Sequence, residues 1–160
     1  MKRLLVVCAL AGSVLSVQAQ GGPPSDVANN AKGAGRVVVA RIAAVRAQFE
    51  TNQFGDQLIV SHAVLEVLET LKGAPAASLN VAVEGGTVGD LTLKVSDLPS
   101  LAEGERAMFF LDAAAGSDHK PHGRGLGIVK IDERDRAEDG ASLDDLRTQV
   151  REAVSARGGR

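Results

Sequence analysis

The sequence is poor in the residues that usually form covalent cross-links, metal sites and aromatic binding sites. Its 160 residues include one cysteine, Cys8, and neither tryptophan nor tyrosine. A single cysteine cannot form a disulfide within the chain. The only histidines are His62, His119 and His122. Stability must therefore come from an aliphatic core.

Residues 1–19 have the pattern of a signal peptide. A basic start precedes an apolar run over residues 4–15, and the stretch closes on Val17-Gln18-Ala19. Small residues at the last and third-last positions are those that signal peptidase accepts, so we expect cleavage after Ala19 and a periplasmic or secreted product. Cys8 lies inside the apolar run, which is not the position of a lipidated cysteine. No apolar run approaches the roughly 20 residues of a membrane-spanning helix, and we expect no stable membrane insertion.

The charge balance argues against a nucleic acid partner. Without Lys2 and Arg3, the 18 basic side chains fall to 16 against 20 acidic ones, a net charge of roughly −4. Phosphate binding needs a clustered basic surface. Unstacked bases also favour aromatic side chains, which are rare here. We expect the partner to be another exported protein or an extracellular ligand.

The remaining sequence divides by composition into four segments. Gly, Pro, Asn and Ala without apolar periodicity predict a flexible leader. Short apolar runs separated by turn residues predict a β domain, and a charged stretch follows it as a linker. A final amphipathic stretch predicts a helix. The segments are, in order, residues 20–34, 35–132, 133–141 and 142–157.

Six apolar runs favour strands because of their β-branched content or alternation. They are Arg36–Phe49, Phe54–Leu71, Ser78–Val83, Leu91–Val95, Met108–Leu111 and Leu126–Ile131. The second run is ambiguous, since part of its apolar pattern would also line a helix that ends at Gly73. The fully apolar run Met108–Leu111 is typical of a strand buried on both faces. Many short strands predict a barrel or a sandwich.

The carboxy-terminal helix has both a start signal and an apolar stripe. Ser142 is a favourable N-cap, and acidic residues occupy the first turn. Apolar residues follow at helical spacing, at Leu143, Leu146, Val150 and Val154. We expect this stripe to dock on the β domain.

Four segments together resemble a known family. They are Val37–Ile42, Val64–Gly73 with its final Leu-Lys-Gly, Glu84–Thr87 and Glu103–Leu111. In order and spacing they look like a widespread set of uncharacterised bacterial exported domains and are similar to the netrin-like domain of tissue inhibitors of metalloproteinases. The resemblance covers about residues 35–131. It implies a mainly β fold, a small OB-like five-stranded barrel with a C-terminal α-helix, in which the second run is a strand.

The resemblance does not imply that this chain inhibits metalloproteinases. Those inhibitors chelate zinc through an amino-terminal cysteine, which the sequence after residue 19 lacks. His119-Lys120-Pro121-His122 could hold two imidazoles near one ion, but Pro121 prevents a regular helix and a closed zinc site needs four ligands. A solvated loop is favoured there, and His62 is interpreted as a surface histidine. We predict no metal and no cofactor.

Motifs for nucleophilic catalysis or nucleotide binding are also missing. The sequence contains no Gly-x-Ser-x-Gly elbow. Ser61 and His62 are adjacent in a predicted strand, so their side chains should point to opposite faces. The Gly123-x-Gly125-x-Gly127 pattern enters a strand, whereas a phosphate site needs a helix at that point. We therefore predict no catalytic residue and a non-enzymatic protein.

Phe49 and Phe54 are the most suggestive residues because they flank the tip of the first predicted hairpin. In an OB-like barrel, this tip and the loop that holds His119, His122 and Arg124 would share one rim. Exposed aromatic residues on that rim would mark a binding site for an unknown ligand. Alternatively, the two phenylalanines pair across the hairpin and close the end of the barrel. Other functions kept open are a regulator or inhibitor of a secreted peptidase and, less favoured, a hydrolase.

Overall fold

The computed structural model describes residues 26–52, 54–112 and 116–158. The predicted signal peptide, residues 1–19, and the beginning of the predicted leader lie outside these ranges. Within them, no helix has the length and apolar content needed to cross a membrane.

The described ranges contain two helices, eight strands and one 3-10 turn. The helices are α1, Val27–Gly33, and α2, Leu143–Gly158, and the turn is Arg124–Gly127. The first four strands are β1, Arg36–Thr51, β2, Gln57–Lys72, β3, Ser78–Glu84, and β4, Gly86–Val88. The others are β5, Leu91–Leu93, β6, Arg106–Leu111, β7, Asp118–His119, and β8, Ile128–Ile131.

The main sheet has the strand order β7-β3-β2-β1-β6-β8, while β4 and β5 form a separate two-stranded sheet. The main sheet curls into a half-barrel, and the C-terminal helix follows it in the chain. Neighbouring strands are antiparallel, except that β3 and β7 are parallel. The mainly β fold with a C-terminal helix is confirmed. The main sheet has six strands and not the five that we predicted.

A long hairpin of β1 and β2 dominates the sheet. Each strand has 16 residues, and the pairing runs from Val37 opposite Lys72 to Thr51 opposite Gln57. The ambiguous second run, Phe54–Leu71, is therefore a strand from Gln57 onward, and residues 54–56 belong to the turn of the hairpin. Buried side chains recur at every second position of β2, as at Ala63 and Leu65, which is the period of a strand with one buried face.

Two apolar clusters lie on opposite faces of the central strands. The strand cluster consists of residues from β1, β2, β3, β6 and β8, including Val38, Leu65 and Phe109. The helix cluster joins other β1, β6 and β8 residues, such as Phe110, to α1 and α2. Because Phe109 and Phe110 are both fully buried, the prediction that this strand is buried on both faces is confirmed.

The C-terminal helix begins where the sequence predicts it. The Ser142 hydroxyl accepts a hydrogen bond from the Asp145 amide at 3.1 Å, as an N-cap residue does. The helix packs through a buried stripe of Leu143, Leu146, Val150 and Ala153. On its flank, Arg147 forms an ion pair with Glu69 of β2 at 2.7 Å.

The prediction of a flexible leader is wrong for residues 27–33, which form α1. Asp26 caps this helix by accepting a hydrogen bond from the Asn29 amide at 3.0 Å. Val27 and Ala31, one turn apart, are buried against α2 and the sheet. A helix this short is stabilised by its packing rather than by its composition, so its local sequence carries little signal.

The charged stretch 133–141 is a hydrogen-bonded turn and not a plain linker. Asp132 accepts hydrogen bonds from the Arg134 and Arg136 amides at 2.8 Å. Ala137 bridges to Ile131 and is buried in the helix cluster. This packing ties the end of β8 to the start of α2.

Candidate functional site

A cleft of about 520 Å³ lies between the tip of the β1–β2 hairpin and the segment that follows β7. We call it the hairpin cleft. Its apolar lining consists of Phe54, Leu58, Val60, Ala82, Val83, Leu98 and Pro121. Its polar and charged lining consists of Glu50, Thr51, Asn52, Glu84, Lys120 and Arg124. Small-molecule and peptide sites commonly combine an apolar surface with a few polar groups in this way.

The hairpin tip presents the ring of Phe54 to solvent. Asn52 orders this turn, because its side-chain oxygen accepts hydrogen bonds from the amides of Phe54 and Asp56, each at 2.9 Å. Gly55 adopts φ of +90°, a conformation that favours glycine. Phe54 is 80% exposed. An ordered turn thus holds a large apolar side chain at the mouth of the cleft.

Phe49 does not line the hairpin cleft. It lies directly opposite Ile59, whereas Glu50 lies opposite Leu58. Since successive side chains of a strand point to opposite faces, Phe49 shares the face of Ile59, and Leu58 faces the cleft. The alternative prediction, that Phe49 pairs with Phe54 across the hairpin, is also wrong, because Phe49 pairs with Ile59.

The other wall of the cleft is fixed to two strands. His119 pairs with Val81 of β3, and Pro121 forms a bridge with Leu111 of β6. The Asp112 amide donates to the Lys120 carbonyl at 2.9 Å. The loop predicted to carry His119 and His122 is therefore held by backbone hydrogen bonds where it borders the cleft.

The two loop histidines have structural partners and do not line the cleft. The His119 ring bonds the Asp112 carbonyl at 2.8 Å, and the His122 ring contacts the Asp112 carboxylate at 2.6 Å. His122 also packs against α1 so closely that a Cβ at Gly33 would lie 2.2 Å from its Nε2 atom. Among the described residues, no group of three or more His, Cys, Asp or Glu side chains is arranged to hold a metal ion.

Arg124 does line the cleft, and two carboxylates hold it. Its guanidinium contacts Asp97 and lies 3.3 Å from Glu84. The hydrogen bond from Arg124 lowers the pKa of Asp97 below its ordinary value. Arg124 has φ of +60°, which is uncommon outside glycine. The two ion pairs orient this side chain along the edge of the cleft.

His62 lies between two carboxylates next to the cleft. Its Nδ1 atom is 2.6 Å from Asp118 of β7, and its Nε2 atom is 2.6 Å from Glu50 of β1. Burial alone would lower the pKa of His62, but the hydrogen bonds to Asp118 and Glu50 outweigh it and raise the pKa. Both ring nitrogens donate when the ring is protonated. The imidazolium thus links β1, β2 and β7.

The sequence interpretation of His62 as a plain surface histidine missed this cluster. Strand alternation places Glu50 and His62 on one face of the hairpin. Asp118 joins them only because β7 lies parallel to β3, with Asp118 opposite Asn80. That contact depends on residues distant in sequence and left no local signal.

Gly125 and Gly127 serve close packing of the backbone, whereas Gly123 has a positive φ of +63°. A Cβ at Gly125 would lie 1.8 Å from the Asp97 carbonyl oxygen, and one at Gly127 would lie 2.4 Å from the His122 carbonyl oxygen. These approaches leave no room for a side chain. Close backbone contacts therefore account for Gly125 and Gly127, and no bound nucleotide is needed to explain them.

The predicted rim residues therefore separate into two groups. Phe54 and Arg124 meet at the hairpin cleft, whereas Phe49, His119 and His122 do not line it. The sequence matches no known protein family, and no curated protein is significantly similar to it.

Proposed function

We propose that this chain is an exported, non-enzymatic binding domain whose hairpin cleft holds part of another exported protein. One observation carries the proposal: Phe54, 80% exposed, stands on an ordered turn beside the apolar side chains of Leu58 and Val60. Exposed aromatic and Arg side chains are the types that most often dominate binding energy. Export is inferred from the signal-like pattern of residues 1–19.

We also propose that the fold is an OB-like barrel related to the netrin-like domain. The parallel pairing of β3 with β7 supports it, as does the bridge from Pro121 to Leu111 of β6. Together these contacts link β1, β2, β3, the segment 118–121 and β6 in a ring. In OB folds, the loops between strands 1 and 2 and between strands 4 and 5 bind ligands. The counterpart of the first of these loops, the tip of the β1–β2 hairpin, borders the hairpin cleft.

Ser61 and His62 are the candidate nucleophile and base, and their contacts support a binding function rather than catalysis. Ser61 is buried, and its hydroxyl donates to the Gly85 carbonyl at 2.7 Å. Both nitrogens of His62 are engaged by carboxylates. Neither side chain is available in this arrangement to activate a substrate.

The charges at the cleft indicate which partner fits it. Arg124 is already neutralised by Asp97 and Glu84. Lys120 is exposed, and no ion pair joins it to the described part of the chain. A partner segment with an apolar side chain next to a carboxylate would complement Phe54 and Lys120.

The proposal is tested by measuring capture and affinity for proteins exported by the same organism. Phe54→Ala should weaken binding of the captured partner by about 2 kcal/mol while leaving the melting temperature nearly unchanged. Leu91→Ala, which truncates another exposed apolar residue on β5, is the matched control and should bind normally. Equal binding by Phe54→Ala and the unmodified protein would contradict the proposal.

Enzyme assays provide the second arm of this experiment. The protein is expected to hydrolyse no substrate in a panel of peptidase and esterase assays. If the captured partner is a peptidase, its activity with and without the protein tests the alternative of a regulator or inhibitor. Turnover that is lost in His62→Gln would contradict the non-enzymatic assignment.

A further inference from the structure

Part of β1 is an exposed edge of the main sheet. Along this strand, β6 pairs only with residues 36–41, whereas β2 pairs as far as Thr51. Beyond Ile42, β1 therefore has a strand on one side only, within the part of the chain that the structure describes. Residues 43–51 contain neither proline nor glycine, the residues that most often interrupt an edge.

Two hydrogen bonds show which backbone groups point to this edge. The Asn52 amide donates to the Asp56 carbonyl across the hairpin at 2.9 Å. The Val45 amide instead points away from β2 and donates to the Glu103 carboxylate at 3.2 Å. Because backbone groups alternate in direction along a strand, the odd-numbered residues of this part of β1 direct their N–H and C=O groups to the edge. The Glu103 carboxylate satisfies the Val45 amide. The backbone groups of Ala47 and Phe49 point to the same edge, farther along β1.

We infer that this edge pairs in antiparallel fashion with the same edge of a second copy of the chain, about a two-fold axis at Gln48. Ala47 of one copy then lies opposite the partner's Phe49, and their backbone groups exchange hydrogen bonds. The same pairing occurs again on the other side of the axis, because a two-fold interface is self-complementary. The result is a sheet that continues through both copies.

Charge complementarity selects this register. With the axis at Gln48, Arg46 lies opposite the partner's Glu50 on the same face of the sheet. Shifting the register by two residues would instead place Arg46 opposite the partner's Gln48 or the partner's Asn52. Opposite charges directly across a strand pair are favourable, so the register centred on Gln48 is preferred.

Both charged groups are available for this contact. Arg46 is exposed, and no hydrogen bond or ion pair is found for its guanidinium among the described residues. Glu50 uses its Oε1 atom for His62 and Gln48, while its Oε2 atom makes no hydrogen bond to a described residue. The partner's Ala47 would also cover Phe49, which is 46% exposed.

The test is sedimentation of the full chain over a concentration series up to about 0.5 mM, since a short strand interface gives a weak dimer. The unmodified protein should shift from monomer to dimer. Arg46→Glu and Glu50→Arg should each weaken dimerisation about tenfold, because each creates two like-charged contacts. An equimolar mixture of the two variants should dimerise again, since both contacts then join opposite charges.

This design separates pairing from other effects of the substitutions. Arg134→Glu makes the same charge change on an exposed turn and should dimerise like the unmodified protein. Glu50→Arg also removes a partner of His62, but only the proposed register predicts recovery in the mixture. A protein that stays monomeric, or a mixture no better than either variant alone, would overturn the inference.

A cross-link measures the register directly. In a Cys8→Ser background, Gln48→Cys should form an intermolecular disulfide readily, since the two side chains meet at the axis in a non-hydrogen-bonded pair. Arg46→Cys, whose copies lie apart in this register, should cross-link at least about tenfold more slowly. Equal rates for the two cysteine variants would refute the axis at Gln48.

Discussion

Replacing His62 by glutamine should remove a charged link between the hairpin and β7 and make stability depend on pH in a defined way. The imidazolium donates to Asp118 and Glu50, each at 2.6 Å. Its side chain is 29% exposed, and those of Glu50 and Asp118 are 40% and 24% exposed. Such partly exposed pairs are weakened by solvent screening, so we expect the two bonds together to contribute about 1 kcal/mol.

The sign of the pH dependence follows from the direction of the pKa shift. The pKa of His62 is raised above its ordinary value of 6.5, so the folded protein holds the proton more tightly than the unfolded chain. The stabilisation is complete below pH 6.5 and is lost as the pH rises through the raised pKa. On the acid side, hydrogen bonds from Gln48 and His62 lower the pKa of Glu50. A second loss should therefore begin below about pH 4.5.

Urea unfolding followed by circular dichroism measures this effect, since the chain has no tryptophan or tyrosine for fluorescence. The free-energy difference between the unmodified protein and His62→Gln should be largest near pH 6 and should shrink toward pH 9. His119→Gln, which removes a ring bonded to a backbone carbonyl, is the matched control. A difference that stays constant or grows with pH would refute the proposed link.

Three further predictions concern the core, a glycine and metal independence. Phe109→Ala should lower the free energy of unfolding by about 3–5 kcal/mol in urea, because Phe109 is fully buried. Gly125→Ala should lower the melting temperature more than Gly89→Ala. A Cβ at Gly125 would strike the Asp97 carbonyl, whereas one at Gly89 would meet no atom within 4 Å and would be disfavoured only by the φ of +57°. A chelator should leave the melting temperature unchanged, because no group of metal ligands is found among the described residues. A large fall would contradict this expectation.

Local sequence patterns were sufficient to predict most of the sheet and the last helix. The β-branched start of β1 and the apolar run at Met108–Leu111 determine strands because their side chains fit two buried faces. Ser142 and the stripe that begins at Leu143 determine α2 because capping and periodicity are local properties. The register of a strand pair also follows from which side chains need burial.

Features that depend on distant contacts could not be predicted in this way. Helix α1 is stabilised by the burial of Val27 and Ala31, and its polar composition resembles that of a flexible segment. Asp118 reaches His62 only through the parallel pairing of β3 and β7. Phe49 and Phe54 are close in sequence, but the hairpin register separates them and leaves only Phe54 in the hairpin cleft.

The most direct test of the proposed binding function is a photo-cross-linking experiment in cells that produce the protein. A photoreactive residue replaces Phe54 in one variant and Leu91, which is 62% exposed on β5, in the other. We predict that position 54 cross-links to a second exported protein, that position 91 does not, and that Lys120→Glu removes the cross-link. No product from position 54, or the same product from both positions, would contradict a binding site at the hairpin cleft.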